Sequence, residues 1–141
     1  MSVPLLDLRA QHARIRDNVV AAMMKVVDDQ TFILGAPVSA LEADVAALSH
    51  TKFAVGCANG TDALLLALRA LDVGAGHEVI TTPFTFFATA GTIHNVGARP
   101  VFVDIDPKTY NIRADLAAAA VTGKTRAIIP VDLFGQVAPV E

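Results

Sequence analysis

The sequence predicts an α/β fold on a mostly parallel sheet, and three observations predict it. Strand-like and helix-like segments alternate from residue 52 onward, the pattern that threads parallel strands through crossover helices. Apolar residues make up 53% of the chain and charged residues only 18%, which suits elements buried on more than one side. Polar and aromatic clusters recur at strand ends, over 59–62, 82–87, 104–106 and 132–136, and ligands of such sheets sit at the carboxyl ends of the strands.

The elements follow in order. Ile15, Val19, Ala22, Met23, Val26 and Val27 have helical spacing across residues 10–29. Gly35-Ala36-Pro37 breaks the chain, and Pro37 suits the first turn of a second helix. Val38, Leu41, Val45 and Leu48 mark one face of that helix, which ends near Ser49-His50. Lys52 to Cys57 reads as a short buried strand. Thr61 to Leu71 reads as a helix closed by Val73-Gly74-Ala75-Gly76, and Glu78 to Thr81 as the next strand. Pro83 interrupts, and helix is predicted from Thr85 to Val96, up to Gly97. A third strand runs from Pro100 to Asp104 into an Asp106-Pro107 turn. An Ala-rich helix covers 113–121, and Arg126 to Val131 is a fourth strand.

At 141 residues the chain is one domain at most, with enough length for a real core. Its net charge of −3 gives no basic footprint for nucleic acid. Cys57 is the single cysteine, so no intrachain disulfide forms, and its place after an apolar run predicts a small buried residue. The start, Met1 to Arg9, is too short in apolar length for a signal peptide. No stretch approaches the ~18–20 apolar residues that cross a bilayer. A cytoplasmic location is the expectation. The last residues, Gln136 to Glu141, follow a strand with no crossover helix after it, which reads as a cut through a larger domain.

The most informative segment is Ala54 to Leu68, where an apolar run turns at Asn59-Gly60 and opens at once into a helix. The first N–H groups of a helix lack intrahelical partners and sit at the positive end of its dipole, a seat for an anion such as phosphate. Gly60 lets a ligand approach the backbone, and Thr61 adds a hydroxyl. An ordinary cap by Thr61 or Asp62 explains the same residues. Thr81 to Phe87 brings Phe84, Phe86 and Phe87 to another strand end. One ring is placed to stack on a flat heterocycle, unless all three fill the core.

Asp104-Ile105-Asp106 resembles the metal-binding Asp-x-Asp of nucleotide-sugar glycosyltransferases, but a strand end running into an Asp-Pro turn is the favoured reading, since no other carboxylate or histidine cluster lies nearby in sequence. Thr122-Gly123-Lys124-Thr125 lacks the preceding glycine and strand of a P-loop and reads as a turn. His12, His50, His77 and His94 have no metal-ligand spacing, and no metal site is expected.

With these pieces assembled, the sequence resembles the N-terminal part of the DegT-type (StrS-like) sugar aminotransferases, pyridoxal-phosphate enzymes of fold type I. The resemblance runs through Pro4-Leu5-Leu6-Asp7-Leu8, Phe32-Ile33-Leu34-Gly35, Asn59-Gly60-Thr61-Asp62-Ala63-Leu64 and Glu78 to Thr89. It continues through Gly97 to Asp106 and Ala127 to Val131, and ends in Phe134-Gly135-Gln136. It implies a three-layer α/β large domain, begun at 52–141 and preceded by a helical segment at 1–51.

By resemblance, Gly60, Thr61 and the backbone N–H of Asp62 cradle the phosphate of pyridoxal 5′-phosphate, and Phe86 stacks on its ring. Asp104 and Asp106 become a structural strand end. The segment from Phe32 to Gly35 resembles one lying near the partner subunit's active site in family homodimers. The implied reaction moves an amino group from an amino acid, typically glutamate, to a nucleotide-linked keto sugar, as in polysaccharide biosynthesis. The family's Schiff-base lysine and the carboxylate that pairs with the pyridine nitrogen come after the region present here. Lys108 and Lys124 lie in turns that are not catalytic in the family. No catalytic residue is therefore expected in these 141 residues, and the chain alone is expected to be inactive. A non-catalytic partner or remnant of the same fold is the alternative.

Overall fold

Residues 3–139 are described by the structure, a computed structural model. Met1, Ser2, Val140 and Glu141, which bound the two terminal readings, lie outside the described residues. The chain divides into two compact units, Met1–Gly56 and Cys57–Glu141.

In the first unit, α1 spans Leu8–Asp28 and α2 spans Ala36–Leu48. Asp7 caps α1 by accepting the Ala10 N–H at 3.0 Å, and the Lys25–Asp29 ion pair at 2.7 Å lies at its far end. Gly35 is the N-cap of α2, with Pro37 in the first turn. A Cβ at Gly35 would stand 2.9 Å from the Thr31 carbonyl oxygen, so this entry turn needs glycine.

The strand predicted at Lys52–Cys57 is not formed. A strand exists only through a neighbour's hydrogen-bond ladder, and no described residue pairs with this segment. The Gly56 N–H donates to Glu42 Oε1 at 2.7 Å, and the Thr51 hydroxyl donates to the Phe53 carbonyl at 3.1 Å. Phe53 and Val55 are consequently exposed. So is Cys57, at the start of the second unit, which corrects the expectation of a buried thiol.

The second unit holds α3 (Gly60–Ala70), β1 (Glu78–Thr81), α4 (Phe87–Asn95), β2 (Arg99–Phe102), α5 (Ala114–Ala119) and β3 (Thr125–Ile128). The strands form one parallel sheet in the order β2-β1-β3. In register, Glu78 faces Arg99 and Thr81 faces Phe102 across β1–β2, and Ile80 faces Ile128 across β1–β3. The expected α/β fold with a parallel sheet is the one found. α4 begins two residues later than predicted: Phe86, its N-cap, is still extended, with ψ at 147°. β3 is shorter than predicted, although the Ile129 N–H still donates to the Ile80 carbonyl at 2.8 Å.

Alternation along β1 supplies both faces of the sheet. Val79 is buried with Leu68, Val73, Ile93, Val96 and Ala98, the layer built with α3 and α4. Ile80, one residue on, is buried on the other face with Ile112 and Ala117, the layer built with α5. Each of the valines, leucines and isoleucines among them contributes about 1.5–3 kcal/mol on burial. Both faces of β1 are covered, which explains why all four of its residues are buried.

Candidate functional site

The strand order places the site. From β1 the chain crosses to β2 on one side and later returns to β3 on the other. The carboxyl ends of β1 and β3 therefore diverge into loops that leave a crevice between them, where open parallel sheets bind ligands. A cavity of about 410 Å³ opens there. Its walls come from the start of α3 (Gly60, Thr61), the segment after β1 (Thr85, Phe86) and the segment after β3 (Asp132, Phe134). This volume lies in the usual range for small-molecule sites, about 300–1,000 Å³.

At the mouth of α3 the donors divide into two groups. Asn59 is the N-cap: its Oδ1 accepts the Asp62 N–H at 3.0 Å, and its carbonyl accepts the Ala63 N–H at 3.0 Å. The N–H groups of Gly60 and Thr61 have no partner among the described residues. Two adjacent free donors thus meet the cavity at the positive end of an 11-residue helix. A Cβ at Gly60 would meet no atom within 4 Å, so the glycine leaves open space over the cradle. Gly60 and Thr61 line one cavity with Phe86. Asp62 stands apart: it does not line the cavity, its N–H is engaged by Asn59, and its Oδ2 accepts from Asn59 Nδ2 at 3.1 Å.

The three phenylalanines separate. Phe84 packs against Tyr110 with ring centroids 5.7 Å apart, Phe87 opens α4, and only Phe86 lines the cavity. The alternative that all three fill the core fails, since Phe86 is 73% and Phe87 82% exposed. The Thr85 and Thr89 hydroxyls share a hydrogen bond at 2.8 Å on the same wall. Thr81 Oγ1 donates to the Ile129 carbonyl at 2.9 Å, tying the ends of β1 and β3 together beneath the crevice.

Asp104 and Asp106 are each engaged in local backbone contacts. Asp106 Oδ1 accepts the Thr109 N–H at 2.9 Å and the Lys108 N–H at 2.8 Å, and these bonds hold its carboxyl below the usual carboxylate range. Asp104 Oδ1 accepts from the Ile105 N–H. Asp106 opens the 107–109 turn, whereas Asp104 precedes the Ile105–Ile112 bridge and its carbonyl accepts the Arg113 N–H at 3.1 Å; no group of three or more potential metal ligands gathers among the described residues.

Sequence reasoning marked 132–136 as a strand-end cluster but named no site residue in it. Asp132 and Phe134 nevertheless line the cavity. The Asp132 side chain reaches six residues ahead to accept the Ala138 N–H at 2.8 Å, a contact no periodicity announces. Among the described residues no helix is long and apolar enough to cross a membrane.

Comparison with known proteins identifies the family. The model of the DegT/DnrJ/EryC1/StrS aminotransferase family matches residues 13–141. The chain is 54% identical over 141 residues to a pleiotropic regulatory protein of Geobacillus stearothermophilus, covering 100% of this chain and 38% of that protein. It is 52% identical to the UDP-N-acetyl-3-dehydro-alpha-D-glucosamine 3-aminotransferase of Acidithiobacillus ferrooxidans, covering 95% and 36%. The crystal structure of NtdA from Bacillus subtilis with bound cofactor PMP superposes with a TM-score of 0.92 at 28% identity, covering 98% of this chain and 32% of that one. The chain thus spans little more than a third of the length of the curated relatives it matches. With the match extending from within the first helix to the last residue, the chain belongs to the DegT/DnrJ/EryC1/StrS aminotransferase family.

Proposed function

We propose that these residues form the phosphate- and ring-binding part of a pyridoxal-phosphate aminotransferase. Its reaction would move an amino group from an amino acid, glutamate by family resemblance, to a nucleotide-linked keto sugar. One observation carries this reading: the two free N–H groups at Gly60 and Thr61 open onto the same cavity as Phe86. That combination suits a phosphorylated aromatic heterocycle. Gly60 and Thr61 would hold the phosphate through their N–H groups and the Thr61 hydroxyl, while Phe86 would cover the ring face. Asp62 would contribute by fixing Asn59, not by donating its own N–H. When bound, the cofactor supplies an electron sink for the amino acid's α-carbon. The chain's own residues anchor and orient it.

No lysine or ring-pairing carboxylate in a family motif is present here, so in this reading proton transfer falls to residues outside these 141. The unit from residue 52 onward would be the first part of the large domain, preceded by the helical segment 1–51. Phe32 to Gly35, whose Phe32, Ile33 and Leu34 are exposed between α1 and α2, would face a second copy in a cytoplasmic homodimer that serves polysaccharide biosynthesis.

The test is amino transfer by the full-length protein, from glutamate to a UDP-linked 3-keto sugar, with Thr61→Val and Phe86→Ala compared in cofactor affinity. Activity that survives both variants with affinity unchanged would overturn the assignment. A second reading, a non-catalytic regulatory relative, is favoured by the name of the Geobacillus protein. A purified protein that stays colourless with added pyridoxal phosphate and transfers no amino group would establish it.

A further inference from the structure

We propose that Asp132 is a specificity contact of this cavity that pairs with a primary ammonium group on the bound molecule; this rests on the cofactor reading above. The residue lines the same cavity as Gly60, Thr61 and Phe86. It is held in place from two sides: its Oδ1 accepts the Ala138 N–H at 2.8 Å, and its carbonyl accepts the Gly135 N–H at 3.0 Å. Asp132 is exposed; only its Oδ1 is engaged among the described residues, and no lysine, arginine or histidine among them lines the cavity.

The cavity is therefore polarised. Two free N–H groups at a helix mouth favour an anion at one wall, and a fixed carboxylate favours a cation at another. A molecule carrying both a phosphate and an ammonium satisfies the two walls at once. One carrying a phosphate and a second anion meets repulsion at Asp132. The ammonium has two sources in an amino-transfer reaction, the aminomethyl group of pyridoxamine phosphate and the α-amino group of the donor.

The competing explanation is that Asp132 only closes the 132–138 loop. Asp132→Asn separates the two, because its amide oxygen still accepts from Ala138 while the charge is gone. Pyridoxamine 5′-phosphate and pyridoxine 5′-phosphate differ only in bearing an ammonium or a hydroxyl at one carbon. Calorimetric titration of each into the cofactor-free full-length protein is expected to favour pyridoxamine phosphate by about tenfold. In Asp132→Asn that preference should fall to about one, with the melting temperature retained. Should the variant melt early, Asp132→Ser, which also keeps an acceptor oxygen, replaces it in the same comparison. If the ratio holds but KM for glutamate rises while KM for the keto sugar does not, the ammonium is the donor's and the proposal stands. If neither the ratio nor KM for glutamate moves, the proposal is overturned. If Gly60→Ala also leaves the binding of both phosphates unaltered, the cofactor reading fails with it.

Discussion

Asn59 and Asp62 are joined by two hydrogen bonds in opposite senses: Asn59 Oδ1 accepts the Asp62 N–H at 3.0 Å, and Asn59 Nδ2 donates to Asp62 Oδ2 at 3.1 Å. The cap thus satisfies a donor deeper in the first turn and leaves those of Gly60 and Thr61 for a ligand. Asn59→Ala removes both bonds. A loss of about 0.5–2 kcal/mol is expected in urea unfolding, with weaker cofactor binding as the first turn frays.

Gly60→Ala probes the cradle without touching the packing. The added methyl meets no protein atom within 4 Å, and alanine is the better helix former by about 0.5–1 kcal/mol. Thermal stability should hold or rise slightly. Affinity for pyridoxamine phosphate should drop by about tenfold or more, a change of ~1.4 kcal/mol, because the methyl occupies the approach to the free N–H groups. Equal affinity in variant and parent would show that no ligand comes close to this backbone.

Phe86→Ala is expected to behave differently from its neighbours. The ring is largely exposed, so stability should change little. Cofactor binding should weaken by ~0.5–1.5 kcal/mol, the worth of an aromatic stack. Phe87→Ala, outside the cavity, should leave binding unaltered, and titration calorimetry on the two variants makes the comparison.

Ile80 and Ile93 serve opposite faces of the sheet, and both are fully buried. Either isoleucine replaced by alanine should cost about 2–5 kcal/mol in chemical unfolding. Exposed Leu66, on the outer side of α3, should tolerate the same change far better.

Acid should act at the base of the sheet. Arg99 donates to Glu78 Oε1 at 2.5 Å, and Thr122 Oγ1 donates to Glu78 Oε2 at 2.8 Å. The Arg99 bond, followed by that from Thr122, holds the Glu78 carboxyl below its usual range. A carboxyl depressed in the folded state stabilises above its unfolded pKa, and that contribution is lost as pH falls through the folded value. Stability should therefore decline as pH drops through and below the ordinary glutamate range. Glu78→Gln should remove this part of the pH dependence in unfolding curves taken across that range.

Much of this was readable from residue patterns alone. Val79-Ile80 between Gly76 and Pro83 announced β1, and Pro37 announced the start of α2, because local punctuation and periodicity set both. Asn59-Gly60-Thr61 announced a helix mouth for the same reason. What the pattern could not supply was pairing. Lys52–Cys57 has strand composition but meets no ladder among the described residues, and Cys57 is left exposed as a result. Nor could it show that the Asp62 N–H is consumed by Asn59, or that Asp132 is fixed by Ala138, since both depend on side-chain reach rather than spacing.

The sheet order has one last consequence. With β1 in the middle, the outer edges of β2 and β3 carry N–H and carbonyl groups that no described strand meets, and Phe102 and Ile128 sit on those edges half uncovered. Margins of this kind recruit whatever extended peptide is nearest. Handled by itself at high concentration, this stretch of polypeptide should therefore self-associate and precipitate unless another extended segment shields both borders.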